Sequence, residues 1–158
     1  MDAFLWMFLP VFIAAGSALL SFYIMQARME VAIAKERQTL AEARAAFARY
    51  EAALMANDLE ALDALFWPDA LTVRFGPGQN LYGIEAIRAF RVGRVGGSPQ
   101  RTLANTVITT FGRDLATANT EFQRQGADRP GRQSQTWVRF EIGWRVVSAH
   151  ISMLGEGS

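Results

Sequence analysis

RTLANTVITTFGRDLATANTEFQRQGADRPGRQSQTWVRFEIGWRVVSAHISM, residues 101–153, decides the fold class. It divides into four long segments, 101–111, 114–124, 132–140 and 144–153, each rich in Thr, Val, Phe or Trp and bounded by turn residues, the pattern of strands. Phe111-Gly112-Arg113-Asp114 and Glu141–Gly143 read as tight turns, and Gly126–Gly131 as a looser one. Short connections of this kind join antiparallel neighbours.

Upstream the pattern turns helical. Residues 45–56, about 58–66 and about 83–92 carry helix formers and apolar residues at helical spacing. Asn57 is placed to cap the second helix with Glu60 as its capping-box partner, and Pro68 ends that helix by disfavouring helical geometry at Trp67. Leu71–Phe75 alternates as a short strand, Gly76–Asn80 reads as a loop, and Gly93, Gly96, Gly97, Ser98 and Pro99 stop the third helix. Helices first and a run of strands afterwards predict an α+β fold, with three helices on one face of a curved antiparallel sheet.

The N-terminal third is of another character. From Ala3 to Met25 the chain has 23 residues without a charge, enough for a helix to cross the ~30 Å hydrocarbon layer. Trp6 and Tyr23 stand near its ends, Pro10 is a candidate kink, and Asp2 in front argues against a cleaved signal. Residues 1–25 therefore read as a transmembrane helix and 26–44 as a helical stalk, with a pocket domain at 45–158. Arg28, Lys35, Arg37, Arg44 and Arg49 follow the apolar run and none precedes it, which would put that domain on the cytoplasmic face of an inner membrane. Ile33, Leu40, Phe47 and Leu54 recur every seven residues, although Glu36 interrupts the neighbouring row.

Composition narrows the chemistry. A formal charge of +1 gives no basic field for nucleic acid, and the absence of cysteine removes disulfides and thiolate sites. With one histidine, His150, no His-rich zinc site can form. No glycine-rich phosphate loop follows a strand. Neither a metal nor an organic cofactor is expected. The strands nonetheless carry Asn105, Asn119, Glu121, Ser134, Gln135, Ser148 and His150 in mid-segment, which suits either a solvated face or a polar hollow inside the sheet.

AFARYEAALMANDLEALDALFW, TVRFGPGQNLYGIEAIRAFR, RTLANTVITTFGRDLATANTEFQR, GRQSQTWVRF and GWRVVSAHIS, in this order and spacing, resemble the AtzH-like (HpxZ-type) family. That family belongs to the SnoaL-like, nuclear-transport-factor-two-like superfamily, and the resemblance covers about residues 45–158. It implies a cone-shaped fold with an internal pocket, a homo-oligomer, and an amidohydrolase acting, with decarboxylation, on dicarboxyurea or a similar carboxylated urea or amide. A tyrosine on the first helix and an arginine on the first strand are implicated in the family, and Tyr50 and Arg74 match them. Typical members carry no anchor, so the segment before residue 45 departs from the pattern.

On their own terms these two residues fit such chemistry. A guanidinium grips a carboxylate with two parallel hydrogen bonds, and a phenol beside a guanidinium is expected to have its anion favoured, which would let it carry a proton at an amide nitrogen. The plainer alternatives are a core tyrosine and a surface ion-pair arginine. Glu121, Gln135 and His150 are further candidates for holding the substrate, with a core histidine the competing reading of His150. Cone folds are also re-used without catalysis, so a ligand-binding or assembly subunit is the rival function.

Overall fold

The computed structural model describes residues 3–155, with side chains at residue 17 and residues 19–155. Three helices, α1 (Ala3–Ala56), α2 (Leu59–Ala64) and α3 (Ile84–Val92), accompany six strands: β1 (Val73–Gly76), β2 (Gln79–Tyr82), β3 (Arg101–Phe111), β4 (Leu115–Arg124), β5 (Gly131–Phe140) and β6 (Gly143–Met153). The chain divides into two units, 1–37 and 38–158.

In the first unit, the described side chains Leu19, Leu20, Phe22, Tyr23, Ile24 and Met25 are exposed. The transmembrane reading is not supported: among the described residues no helix is long and apolar enough to cross a membrane. Arg28, Glu30, Lys35, Glu36 and Arg37 follow on the same helix, all exposed. With no span to orient, the placement on the cytoplasmic face of an inner membrane falls as well. The side chains of Asp2, Trp6 and Pro10, which that reading also used, lie outside the described residues.

The second unit is the α+β body. Burial along α1 begins at Thr39 and continues through Ala43, Ala46, Phe47, Tyr50 and Ala53, a helical stripe facing the sheet. Ile33 of the heptad row remains exposed. The packed domain thus starts several residues before position 45. Asn57 ends α1 in the left-handed conformation (φ 54°), and it is Asp58 that caps α2, accepting from the Ala61 amide at 3.0 Å. The cap therefore lies one residue later than the sequence suggested, and Glu60 is not its capping-box partner.

The strands form one sheet in the order β2-β1-β6-β5-β4-β3. All pairs are antiparallel except β1 with β6, which α3 and the later strands separate in sequence. The stretch read as a loop at Gly76–Asn80 is a hairpin. Pro77-Gly78 makes the turn, with Gly78 at φ 84°, and Gln79–Tyr82 returns as the edge strand β2. Two irregularities bend the sheet. In β3 the register slips between Ala104 and Val107, where Asn105 takes φ 51°. In β6 it slips opposite Thr136/Trp137, leaving Val147 as an extra residue. The second bulge switches parity: Trp144 and Val146 face inward before it, Ala149 and Ile151 after it.

The core joins that inner face to the helices. Trp137 meets Tyr50 edge-on at 6.2 Å, and Phe66 lies 6.2 Å from the same tyrosine. Burying each such large apolar side chain contributes on the order of 1.5–3 kcal/mol. Across β4–β5, Phe122 pairs with Gly131, and a Cβ at that glycine would stand 2.1 Å from the ring. The ring lies flat where a side chain would have been.

Candidate functional site

Between α1, α3 and the inner face of the sheet is a cavity of about 40 Å³. Tyr50 reaches it from α1 and Arg74 from β1, so the two family-matched residues line one hollow. Arg91 comes from α3 and Arg94 from the turn after it; Arg101 opens β3, Arg124 closes β4, and Gln133 lies on β5. The cavity opens into an outer recess of about 390 Å³ that shares Arg74, Phe90, Arg94 and Arg124 with it. These four form the throat, and Tyr50, Arg91, Arg101 and Gln133 form the floor.

The floor cations have partners. Arg101, with 5% of its side chain exposed, binds Glu51 through both oxygens at 2.6 and 2.7 Å, and Gln133 Oε1 accepts from it at 3.1 Å. Arg91 donates to Asp63 at 2.9 Å and stacks on Phe66 at 4.2 Å. The throat cations differ. Arg74 lies 4.8 Å from the centre of the Phe90 ring, and the Gln79 amide oxygen, with the amide turned to satisfy its neighbours, accepts from it at 3.2 Å. Arg94 donates to Ser98 Oγ at 3.1 Å, and Arg124 lies 5.3 Å over Phe122. Among the described residues none of these three meets a carboxylate.

Tyr50 is 4% exposed, its ring set between Phe66 and Trp137. Burial pushes its pKa up; Arg101, Arg74 and Arg91 pull the other way without prevailing, and Glu51 adds to the rise. The expectation of a favoured phenolate is therefore corrected: loss of water around the oxygen outweighs the guanidiniums, and the group stays a neutral donor. Burial likewise lowers the pKa of Arg74, with Arg91, Arg94 and Arg124 acting in the same direction. An arginine remains protonated regardless, so the cost of its isolation is relieved by an arriving anion.

The other predicted residues lie elsewhere. Glu121 is exposed on the outer face, accepting from Asn105 Nδ2 at 2.9 Å. His150 is also exposed there, its ring edge-on to Phe75 at 6.4 Å, so it is neither in the cavity nor in the core. Gln135 points inward and is buried, but its Oε1 accepts from Trp137 Nε1 at 3.2 Å and it does not line the cavity. Gln133, two residues earlier on the same face, does. Arg91, Arg94, Arg101 and Arg124 went unsingled in the sequence. The one available signal was their spread over strand and helix ends in a chain with few acidic residues nearby. Among the described residues no three His, Asp or Glu side chains gather to hold a metal.

Comparison with known proteins accords with this architecture. No functionally curated protein matches the chain. A protein of unknown function from Pectobacterium atrosepticum is 56% identical, covering 75% of this chain and 92% of its own, with a TM-score of 0.73. A cystatin-like fold protein from Burkholderia xenovorans is 46% identical over 76% of this chain and 95% of its own, with a TM-score of 0.72. A nuclear-transport-factor-two-like superfamily protein from Salmonella enterica shares the fold at 24% identity, covering 77% and 95%, with a TM-score of 0.65. The match to the family itself runs over residues 32–157, reaching upstream into the segment read as a stalk, and the chain belongs to the AtzH-like family.

Proposed function

We propose that this chain is an amidohydrolase of small carboxylated ureas or amides, with dicarboxyurea as the type substrate. The observation that carries the reading is that Tyr50 and Arg74 line one small cavity. Arg74 grips a substrate carboxylate by two parallel hydrogen bonds. Hydrolysis of the C–N bond then places the oxygen of water on the carbonyl carbon, and the nitrogen must leave with a proton. The neutral Tyr50 hydroxyl supplies that proton, and one from the attacking water restores it.

The experiment is turnover of dicarboxyurea by the full chain, by Tyr50→Phe and by Arg74→Ala, with folding checked by circular dichroism. Loss of a proton donor costs about 10²–10⁴ in rate. Wild-type rates in both folded variants remove the two residues from the mechanism. A second reading, a non-catalytic anion-binding module, has one observation in its favour. The carboxylates nearest the cavity, Glu51 and Asp63, are both engaged by arginines, leaving no free base to activate water. Binding of the substrate without turnover by the wild-type protein would select that reading.

A further inference from the structure

We propose that Arg94 and Arg124 hold a second acid group of the ligand at the throat, and so make the site select small dicarboxylates over monocarboxylates. The inference rests on the anion-binding role of Arg74 in the reading above and extends it to residues on two other elements.

The argument is one of charge balance. Five arginines line the cavity, and among the described residues carboxylates reach only the two on the floor: Glu51 meets Arg101 and Asp63 meets Arg91. The three at the throat have aromatic rings, a hydroxyl or an amide as neighbours, none of which carries a negative charge. Sheet register sharpens the imbalance. Arg101 and Arg124 are directly opposite each other across β3–β4, both over the Phe122 ring, at 4.7 and 5.3 Å. Like charges in such a pair destabilise a sheet. Glu51 relieves one member, and among the described residues no carboxylate relieves the other.

One carboxylate on Arg74 leaves Arg94 and Arg124 still unmatched, whereas a second acid group within the same small ligand reaches them, since all three border the same opening. An inorganic dianion carries the same charge on one centre and cannot place separate acid groups on Arg74 and on the other pair. The geometry therefore favours two carboxylates joined by a short spacer.

The test measures binding of malonate, acetate and inorganic phosphate to the full chain by calorimetry, for wild type, Arg94→Gln and Arg124→Gln. Wild type should bind malonate at least about tenfold more tightly than acetate or phosphate. Each variant should weaken malonate by about tenfold while changing acetate by less than about threefold, the scale of one charged hydrogen bond. Thermal stability of the ligand-free variants should equal or exceed wild type, because a half-buried charge with no carboxylate partner among the described residues has been removed. That separates lost binding from lost folding. In turnover of dicarboxyurea, the variants should raise KM far more than they lower kcat. Wild-type malonate affinity in both variants, equal losses for malonate and acetate, or preference for phosphate overturns the proposal. Charge-selective binding by a wild-type protein that turns nothing over sinks the hydrolase reading and leaves this one standing. Undiminished dicarboxyurea kinetics in both variants does the reverse.

Discussion

Replacing Glu51 by Gln removes the charge that neutralises Arg101 while keeping the shape of the side chain. Glu51 and Arg101 are 13% and 5% exposed and joined by two oxygens at 2.6 and 2.7 Å, so the pair is dry and well formed. Breaking a buried pair from one side costs about 3–5 kcal/mol, because the remaining charge stays buried. The glutamine oxygen still accepts one hydrogen bond, which puts the expected loss near 3 kcal/mol, or roughly 10 °C in Tm for a domain of this size. Urea unfolding followed by tryptophan fluorescence measures it, since Trp137 and Trp144 are buried. A second readout comes from Tyr50. Glu51 is among the causes of its raised pKa and Arg101 opposes them, so Glu51→Gln should move ionisation of the phenol to lower pH in an ultraviolet titration. Glu51→Leu combined with Arg101→Met should recover most of the stability, as apolar replacements of buried pairs do. A loss below about 1 kcal/mol, the range of exposed pairs, together with an unmoved tyrosine, would refute the picture of a dry, internally neutralised floor.

Gly131→Ala places a methyl group on the Phe122 ring and should cost about 1–3 kcal/mol of overpacking, partly restored by Phe122→Leu; wild-type stability would mean that the ring moves freely. The raised pKa of Tyr50 favours its neutral form in the folded state, so the stability it contributes is full below the unfolded value of ~10 and is lost as pH rises past it. Denaturation across pH 9–11 should accordingly show a steeper decline for wild type than for Tyr50→Phe, and parallel curves would contradict the assignment. Asp58→Ala should lose about 1 kcal/mol with the α2 cap while Glu60→Gln loses almost nothing, and the opposite order would restore the cap one residue earlier.

The four long strands and the three helices were legible because length, β-branched content and turn residues all agreed. The short hairpin was not. Gln79–Tyr82 has only four residues, and Pro77-Gly78 beside it carries the signature of a loop as strongly as that of a turn. Facing was lost at the bulges. Counting alternate residues through β6 puts His150 on the side of Val146 and Trp144; the extra residue at Val147 moves it outside and brings Ala149 and Ile151 in. Tyr50 was legible because Ala43, Phe47 and Leu54 share its helical row. Its protonation state was not, since the balance between lost hydration and nearby guanidiniums depends on how deeply the oxygen is buried. Among the described residues the apolar N-terminal run supplies no helix long and apolar enough to cross a membrane.

The arginines around the cavity lie at positions 74, 91, 94, 101 and 124, on four elements and the turn after α3. No spacing rule gathers them, and the formal charge of +1 conceals them because acids and bases are balanced over the chain as a whole. Only the fold segregates the two. It delivers Glu51 and Asp63 to the floor and leaves the throat positive, so the local field has a direction that net charge cannot express. A neutral substrate would gain nothing from that gradient, and a monoanion would satisfy part of it. A small diacid would be drawn inward until its carboxylates meet the throat, which leaves its amide facing the neutral hydroxyl of Tyr50 on the floor. The order of the cations along the cavity, matched within and unmatched at the entrance, is therefore what would orient the substrate, and it follows from which strand ends and helix ends the sheet brings together.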